Sequence, residues 1–363
     1  MRTISVNKKV MLAGVLILAG AAVSQMYFFG IRGSDAGEAE VVPRILFERQ
    51  AVISAWIPWQ HFDNAVRQIV GPQKLSVDEA VLLGYVLRSD GTIHDYLSDQ
   101  ELSIGALAHR NITLIASVHN ERDGARVSRV LSSPSSRGRH IRDLRALAQT
   151  EHISGLEIHY ERMAAGDRAL FSQFIRELAA VLHEDGKTLA VTVHAKTSDS
   201  DTLHGAGAQD WQELGRWADS VVVLAYNYSS DTSAPGPIAP SGWVREVSEY
   251  ALSSLPAERI VLGAAAFGYD WSPHAVPAPN YSLMEIENII RTTGAEVKRD
   301  EATAALYFTY QDESDCPHEV WYEDAHSAQA VAELILEREL RGVSIWALGG
   351  VTTDYFSVFS DQL

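Results

Sequence analysis

SGLEIHYE, Ser154 to Glu161, alternates with a period of two. As an extended strand it sets Gly155, Glu157, His159 and Glu161 on one face and Leu156, Ile158 and Tyr160 on the other. Two arrangements fit this pattern. One is a half-exposed strand with a polar outer face. The other is a barrel strand whose three ionisable groups project inward, where unpaired charge is costly and pKa values move from their usual positions. Alternation alone leaves both open, so the surrounding chain has to choose.

From about residue 50 onward, short apolar β-rich runs alternate with longer segments of helical periodicity, the pattern of βα units and a parallel sheet. Eight such runs can be counted: AVISAWI from Ala51, AVLLGYVL from Ala80, ITLIASV from Ile112, SGLEIHYE from Ser154, TLAVTVHA from Thr188, SVVVLAYNY from Ser220, RIVLGAAAFGY from Arg259 and GVSIWALGG from Gly342. Between them lie patterns such as RALFSQFIRELAAVLHEDG, with apolar residues three and four places apart and Gly186 as a stop. Eight units predict an α/β fold, a closed (β/α)8 TIM barrel. A doubly wound open sheet is the competing topology, but neither GxGxxG nor GxxxxGK[ST] occurs, so nucleotide chemistry lacks its usual signature. Residues 272–322, between the seventh and eighth strands, are too many for a plain loop. With a helical stretch (LMEIENIIRTTG) and a strand-like one (AALYFTY), they read as a small α+β insertion beside the barrel mouth.

Composition narrows the function. Thirty Lys and Arg against forty-seven Asp and Glu give a net charge of -17, which argues against an electrostatic grip on nucleic acid or an anionic bilayer. The single cysteine, Cys316, cannot form an intrachain disulfide, and without a CxxC pair a structural zinc site is not expected. No GxSxG elbow points to a serine hydrolase. At the N-terminus Arg2, Lys8 and Lys9 precede an apolar run from Val10 to Ile31. Residues 1–40 therefore read as a signal peptide or an uncleaved signal anchor plus a short acidic linker, and residues 41–363 as the barrel. Either leader places the body outside the cytoplasm, periplasmic or extracellular, with membrane attachment open through residues 10–31.

Functional groups of such barrels gather at the carboxyl ends of the strands. There SGLEIHYE resembles the fourth-strand signature of glycoside hydrolase family 18, D-G-x-D-x-D-x-E. Gly155 and Glu161 fit, Ser154 and Glu157 stand at Asp positions, and His159 replaces the Asp two residues before the acid. VVVLAYNYSS resembles the sixth-strand M-x-Y-D segment through Tyr226 and Asn227, and GPIAPSGWV, RIVLGAAAFGYDW, VWYEDAHSAQAV and RGVSIWALGG continue the series in order. The likeness is greatest to the spore-cortex-lytic, peptidoglycan-directed branch.

The resemblance implies retaining hydrolysis of β-linked N-acetylglucosamine-containing glycan, peptidoglycan or chitin-like, in which the substrate's own acetamido oxygen attacks the anomeric carbon. Glu161 is then the proton donor, a role that calls for a carboxyl of raised pKa. Tyr226 orients the acetamido carbonyl, Asn227 contacts sugar, and Trp346 forms an apolar floor. Glu157 and His159 complete the catalytic set. Neutral imidazole can accept the acetamido N–H in place of the missing Asp, whereas a protonated one cannot and also lowers the pKa of Glu161. The alternative is a weakened or inactive glycan-binding protein on the same scaffold. Trp56, Tyr85 and Trp271 are further candidates to line a sugar cleft by stacking. The Trp321–Asp324 block is expected to pack the insertion onto the barrel. His119 and His194 end strands beside His159 but lack paired metal-ligand spacing, so polar or sugar-donor roles are expected and no metal; Asp199 and Asp201 read as solvated loop groups. No cofactor is implied, a carbohydrate polymer is the expected partner, and a monomer is expected.

Overall fold

The computed structural model describes residues 51–363, apart from residues 73 and 201. Residues 1–40, expected to be a signal peptide or anchor plus linker, and Asp201 lie outside the described residues, among which no helix is long and apolar enough to cross a membrane.

Eight parallel strands close into a barrel. In chain order they are Val52–Pro58, Glu79–Leu87, Thr113–His119, Ile153–His159, Thr188–His194, Ser220–Leu224, Ile260–Ala265 and Gly342–Trp346. The first pairs with both the second and the eighth, so no edge is left between them. A short strand, Ile93–Asp95, adds antiparallel to the second. Helices cover the outside. In Arg168–Glu184 the residues Phe171, Phe174, Ile175, Leu178, Ala179 and Leu182 are buried at three- and four-residue spacing, so one stripe packs on the barrel and the rest faces water.

Alternation sorts each strand into an outer layer under the helices and an inner layer. The inner layer holds Trp56, Val81, Leu83, Ile115, Val222, Leu224 and Val261, and continues at the mouth into Tyr226, Phe267, Tyr269 and Trp271. The second strand breaks the rule once. Leu83 is in register with Ser117, but Tyr85 is in register with Val118, so Gly84 is an extra residue. This bulge turns Tyr85 from the inner face to the outer layer.

The apolar run from Arg259 serves two sheets. Ile260–Ala265 belongs to the barrel; Phe267–Trp271 leaves it and becomes part of a five-stranded antiparallel sheet with Asn280–Ser282, Lys298–Arg299, Leu306–Gln311 and Pro317–Tyr322. The α+β insertion therefore starts at Phe267 rather than 272. The switch falls at Ala266, whose N–H donates to the Trp346 carbonyl at 2.7 Å. The insertion helix, Leu283–Thr293, opens on a Ser282/Glu285 capping box and ends at Gly294 with φ of 67°.

Candidate active site

The fourth strand ends at His159, and the next two residues diverge, Tyr160 into the outer layer under the helices and Glu161 toward the barrel mouth. Tyr160 is buried and its hydroxyl donates to His140 Nε2 at 2.6 Å, while His140 Nδ1 donates to the Gly91 carbonyl. Asn120, fully buried at the end of the third strand, holds Glu161 by both backbone groups: its Nδ2 donates to the Glu161 carbonyl and its Oδ1 accepts the Glu161 N–H, each at 2.9 Å. Beyond it Arg162 turns into the left-handed region with φ of 55°. Gly124 and Gly205 press against the Arg162 backbone, where a Cβ would lie 1.9 Å from the Arg162 carbonyl oxygen and 2.7 Å from its Cα respectively. The Glu161 side chain is thus aimed from a clamped backbone at the barrel's carboxyl end, and remains 24% exposed.

His159 Nε2 lies 3.5 Å from Glu161 Oε1, and His194 Nε2 lies 3.9 Å from Oε2. Burial works to raise the Glu161 pKa, but His159, His194 and Arg122 together outweigh it and bring the carboxyl down to about 2. For His159 burial works downward, yet the carboxylates of Glu161 and Glu157 prevail and hold the imidazole above its ordinary value of 6.5. In the unliganded site the shared proton therefore rests on His159 and Glu161 is a carboxylate. This reverses the raised pKa anticipated for the acid, because the residue that replaces Asp is a cation. His119 and His194 are pushed down to about 4, chiefly by burial, and stay neutral near pH 7.

Glu157 sits one layer deeper, 1% exposed. It accepts from Trp56 Nε1 at 2.9 Å, Thr192 Oγ1 at 2.5 Å and the Ser117 hydroxyl. It supports His159 from below rather than meeting a ligand. Two of the stacking candidates are corrected. Trp56 is completely buried, its indole N–H committed to Glu157, and Tyr85 faces the outer layer because of the Gly84 bulge. Trp346, half-buried, lies edge-on to Trp56 and His159, with ring centroids 5.5 and 6.1 Å apart. Tyr226 packs edge-on against Phe267; burial, then the Glu161 charge, keep its phenol protonated and so a donor. Asn227, with φ of 68°, accepts from the Tyr269 hydroxyl at 3.0 Å. Trp271 lines a cleft of about 830 Å³ with Asp231, Tyr310 and His318. Trp321 stacks on Tyr307 within the insertion sheet, Glu323 accepts the Ala239 N–H at 3.0 Å, and Asp324 caps the helix Ala325–Glu337.

The description "Glycosyl hydrolases family 18" matches residues 68–350. The chain belongs to glycosyl hydrolases family 18. It is 31% identical over 254 residues to the cortical fragment-lytic enzyme of Bacillus subtilis, covering 69% of this chain but 59% of that enzyme's length. Among solved structures, a chitinase from Chromobacterium violaceum aligns with a TM-score of 0.77 at 26% identity, covering 86% of this chain and 98% of that one. The Bacillus cereus spore cortex-lytic enzyme SleL aligns at 0.77 and 24% identity, covering 89% and 76%, a likeness of fold.

In this family 18 chain several site residues carry no motif. Asn120 follows the third strand directly, and its position next to a strand end was the one available signal. Arg122 and Asp231 reach toward each other from the loops after the third and sixth strands and pair at 2.7 Å. Ring nitrogens of His119, His159 and His194 are buried without a hydrogen-bond partner. These histidines do not converge as metal ligands: among the described residues, three donor atoms within 4.8 Å of one another occur at Asp312, Cys316 and His318, on the insertion.

Proposed function

We propose that this family 18 chain hydrolyses β-linked N-acetylglucosamine-containing glycan, peptidoglycan or chitin-like, with retention and with Glu161 as proton donor. The observation that carries the reading is the His159–Glu161 pair, one proton shared across 3.5 Å at the barrel mouth. A sugar that excludes water disfavours separated charge, so the proton passes from His159 Nε2 to Glu161 Oε1 and leaves both groups neutral. One transfer does two things. It arms Glu161 as an acid, and it bares an imidazole nitrogen that can accept the acetamido N–H. The acetamido oxygen then attacks the anomeric carbon while Glu161 gives its proton to the departing glycosidic oxygen. Glu161, again a carboxylate, takes a proton from the water that opens the cyclic intermediate. Tyr226 donates to the acetamido carbonyl and Trp346 stacks beneath the ring. Asn227 and Trp271 extend the sugar contacts. Export through the segment from Val10 to Ile31 would place this activity at the cell envelope.

The opposing reading, a glycan-binding protein without turnover, is favoured by the same carboxyl held down at about 2, which must recover a proton before it can donate one. Incubation with purified glycan strands separates the two. Turnover by the native protein and its loss in Glu161→Gln, with binding retained, supports hydrolysis. Equal turnover in both proteins removes Glu161 from its role, and tight retention of uncut glycan by the native protein establishes the binding reading.

A further inference from the structure

The hairpin that joins Leu306–Gln311 to Pro317–Tyr322, beside the cleft that Trp271 lines, brings three different donor types together. Asp312 begins the turn, Cys316 ends it, and His318 follows one residue into the next strand, so that a carboxylate oxygen, the thiol sulfur and an imidazole nitrogen all lie within 4.8 Å of one another. Asp312 Oδ1 accepts the backbone N–H groups of Ser314 and Cys316 at 2.8 and 2.9 Å, leaving Oδ2 uncommitted to the turn. The Cys316 sulfur has a weak contact with the Pro317 carbonyl at 3.9 Å.

His318 is the telling member. Its Nδ1 donates to Asp270 Oδ1 at 2.8 Å, and Asp270 is 1% exposed with its other oxygen accepting from the Tyr310 hydroxyl at 2.7 Å. That carboxylate fixes the tautomer, so in the neutral ring Nε2 carries a lone pair. Nε2 faces Asp312 Oδ2 at 3.7 Å, one electron-pair donor opposite another. A buried carboxylate behind the far nitrogen of an imidazole is the support that metal-binding histidines ordinarily have. On one tetrahedral metal a carboxylate oxygen and an imidazole nitrogen stand about 3.3 to 3.5 Å apart, so the Asp312–His318 edge at 3.7 Å has to close slightly and the thiol needs a rotation. Asp312 is 41% exposed and gives an ion a way in.

We propose that Asp312, Cys316 and His318 form a zinc-class divalent cation site, with Asp270 as the residue that positions His318 and a fourth position open to water. Binding replaces the thiol proton by the metal: the S–H bond breaks, the proton goes to solvent, and the thiolate supplies the electron pair. The carboxylate, thiolate and imidazole set suits Zn²⁺ or Co²⁺ better than Mg²⁺ or Ca²⁺, which select oxygen alone. A bound ion would pin the hairpin whose Tyr310 and His318 line the cleft beside Trp271.

A proton on His318 Nε2 would also relieve the facing lone pairs, and the test separates the two. The reduced, metal-free full chain is titrated with Co²⁺ and then Zn²⁺. Cys316 is the chain's single cysteine, so a thiolate-to-cobalt charge-transfer band reports on this place and not on the histidines around Glu161. The expected result is such a band saturating at one equivalent, displaced by Zn²⁺, absent in Cys316→Ser, and requiring at least tenfold more Co²⁺ in His318→Gln and in Asp270→Asn, with circular dichroism unchanged. No band at excess Co²⁺, or a titration midpoint unmoved in His318→Gln, overturns the proposal.

Discussion

Replacing His159 by Asn isolates the proton that the site depends on. The amide keeps an acceptor for the acetamido N–H but cannot hold a positive charge. With the imidazolium gone, Glu161 loses its strongest downward influence and its carboxyl rises from about 2 toward or above the ordinary 4.5. The native pair keeps one proton throughout the interval from pH 5 to the raised pKa of His159, so its kcat/KM should be flat there. The variant has to protonate Glu161 from solvent. A carboxyl with a pKa of 4.5 is about 0.3% protonated at pH 7 and about 24% at pH 5, so its kcat/KM should climb roughly 80-fold over that range. The assay is kcat/KM from pH 5 to 7.5 on a defined N-acetylglucosamine oligomer. The range stays above the point where buried His140 and His194 take up protons, both near 4. Parallel profiles, with the variant lower by one constant factor, would refute the proton store.

Other perturbations test the supports. Glu157→Ala strands the donors of Trp56, Ser117 and Thr192 in the barrel interior and opens a void; a loss of about 3 to 5 kcal/mol is expected from urea unfolding. Asn120→Ala frees the Glu161 backbone without touching substrate, so kcat should fall about 10- to 100-fold with KM nearly constant, and an equal fall in affinity would argue against positioning. Glu323, buried, has its pKa raised to about 7 by burial, above the 4.5 expected unfolded. The folded protein holds a proton that the unfolded chain releases, so stability is full below pH 4.5 and declines as pH rises through 7. Glu323→Gln should therefore stabilise by up to about 3 kcal/mol at pH 8 and change little at pH 4.5, as chemical denaturation at the two pH values would show.

The barrel was legible because most of its eight strands are largely apolar runs, a signal that burial on both faces enforces, while the fourth alternates. Their ends were not. The sixth run reads through to Tyr228 but the strand stops at Leu224, and the run from Arg259 crosses Ala266 into a second sheet. At the mouth the chain stays apolar after leaving the ladder, since Tyr226, Phe267 and Tyr269 pack on one another, so composition no longer marks the boundary. Tyr85 was misplaced for a different reason: the extra residue at Gly84 shifts a period-two pattern by one, and the lone glycine inside AVLLGYVL was its one signal. Asn120 acts through two backbone groups 41 positions away, which no local pattern encodes. Asp312, Cys316 and His318 were passed over because zinc motifs are recognised by paired cysteines, whereas here the tight turn supplies the proximity.

The substitution at 159 is coherent with what lies beneath and beside it. Residues two apart on a strand are about 7 Å apart, so Asp at 159 would set a third carboxylate between Glu157 and Glu161. Like charges at that spacing in a buried row raise one another's pKa, and the row would have to retain protons on oxygen. Imidazolium at the same position neutralises one neighbour and leaves the other, Glu157, satisfied by Trp56, Thr192 and Ser117. The row then carries a single net negative charge and one mobile proton, stored on nitrogen instead of oxygen. An acid starting from a carboxyl at about 2 can work on this arrangement only if its proton arrives from His159 at the moment water is excluded. His159→Asp should accordingly lower kcat/KM at neutral pH, since a proton kept among carboxylates is released at lower pH than one kept on the raised imidazole. A rise in that variant would mean that His159 hinders an otherwise complete family 18 site.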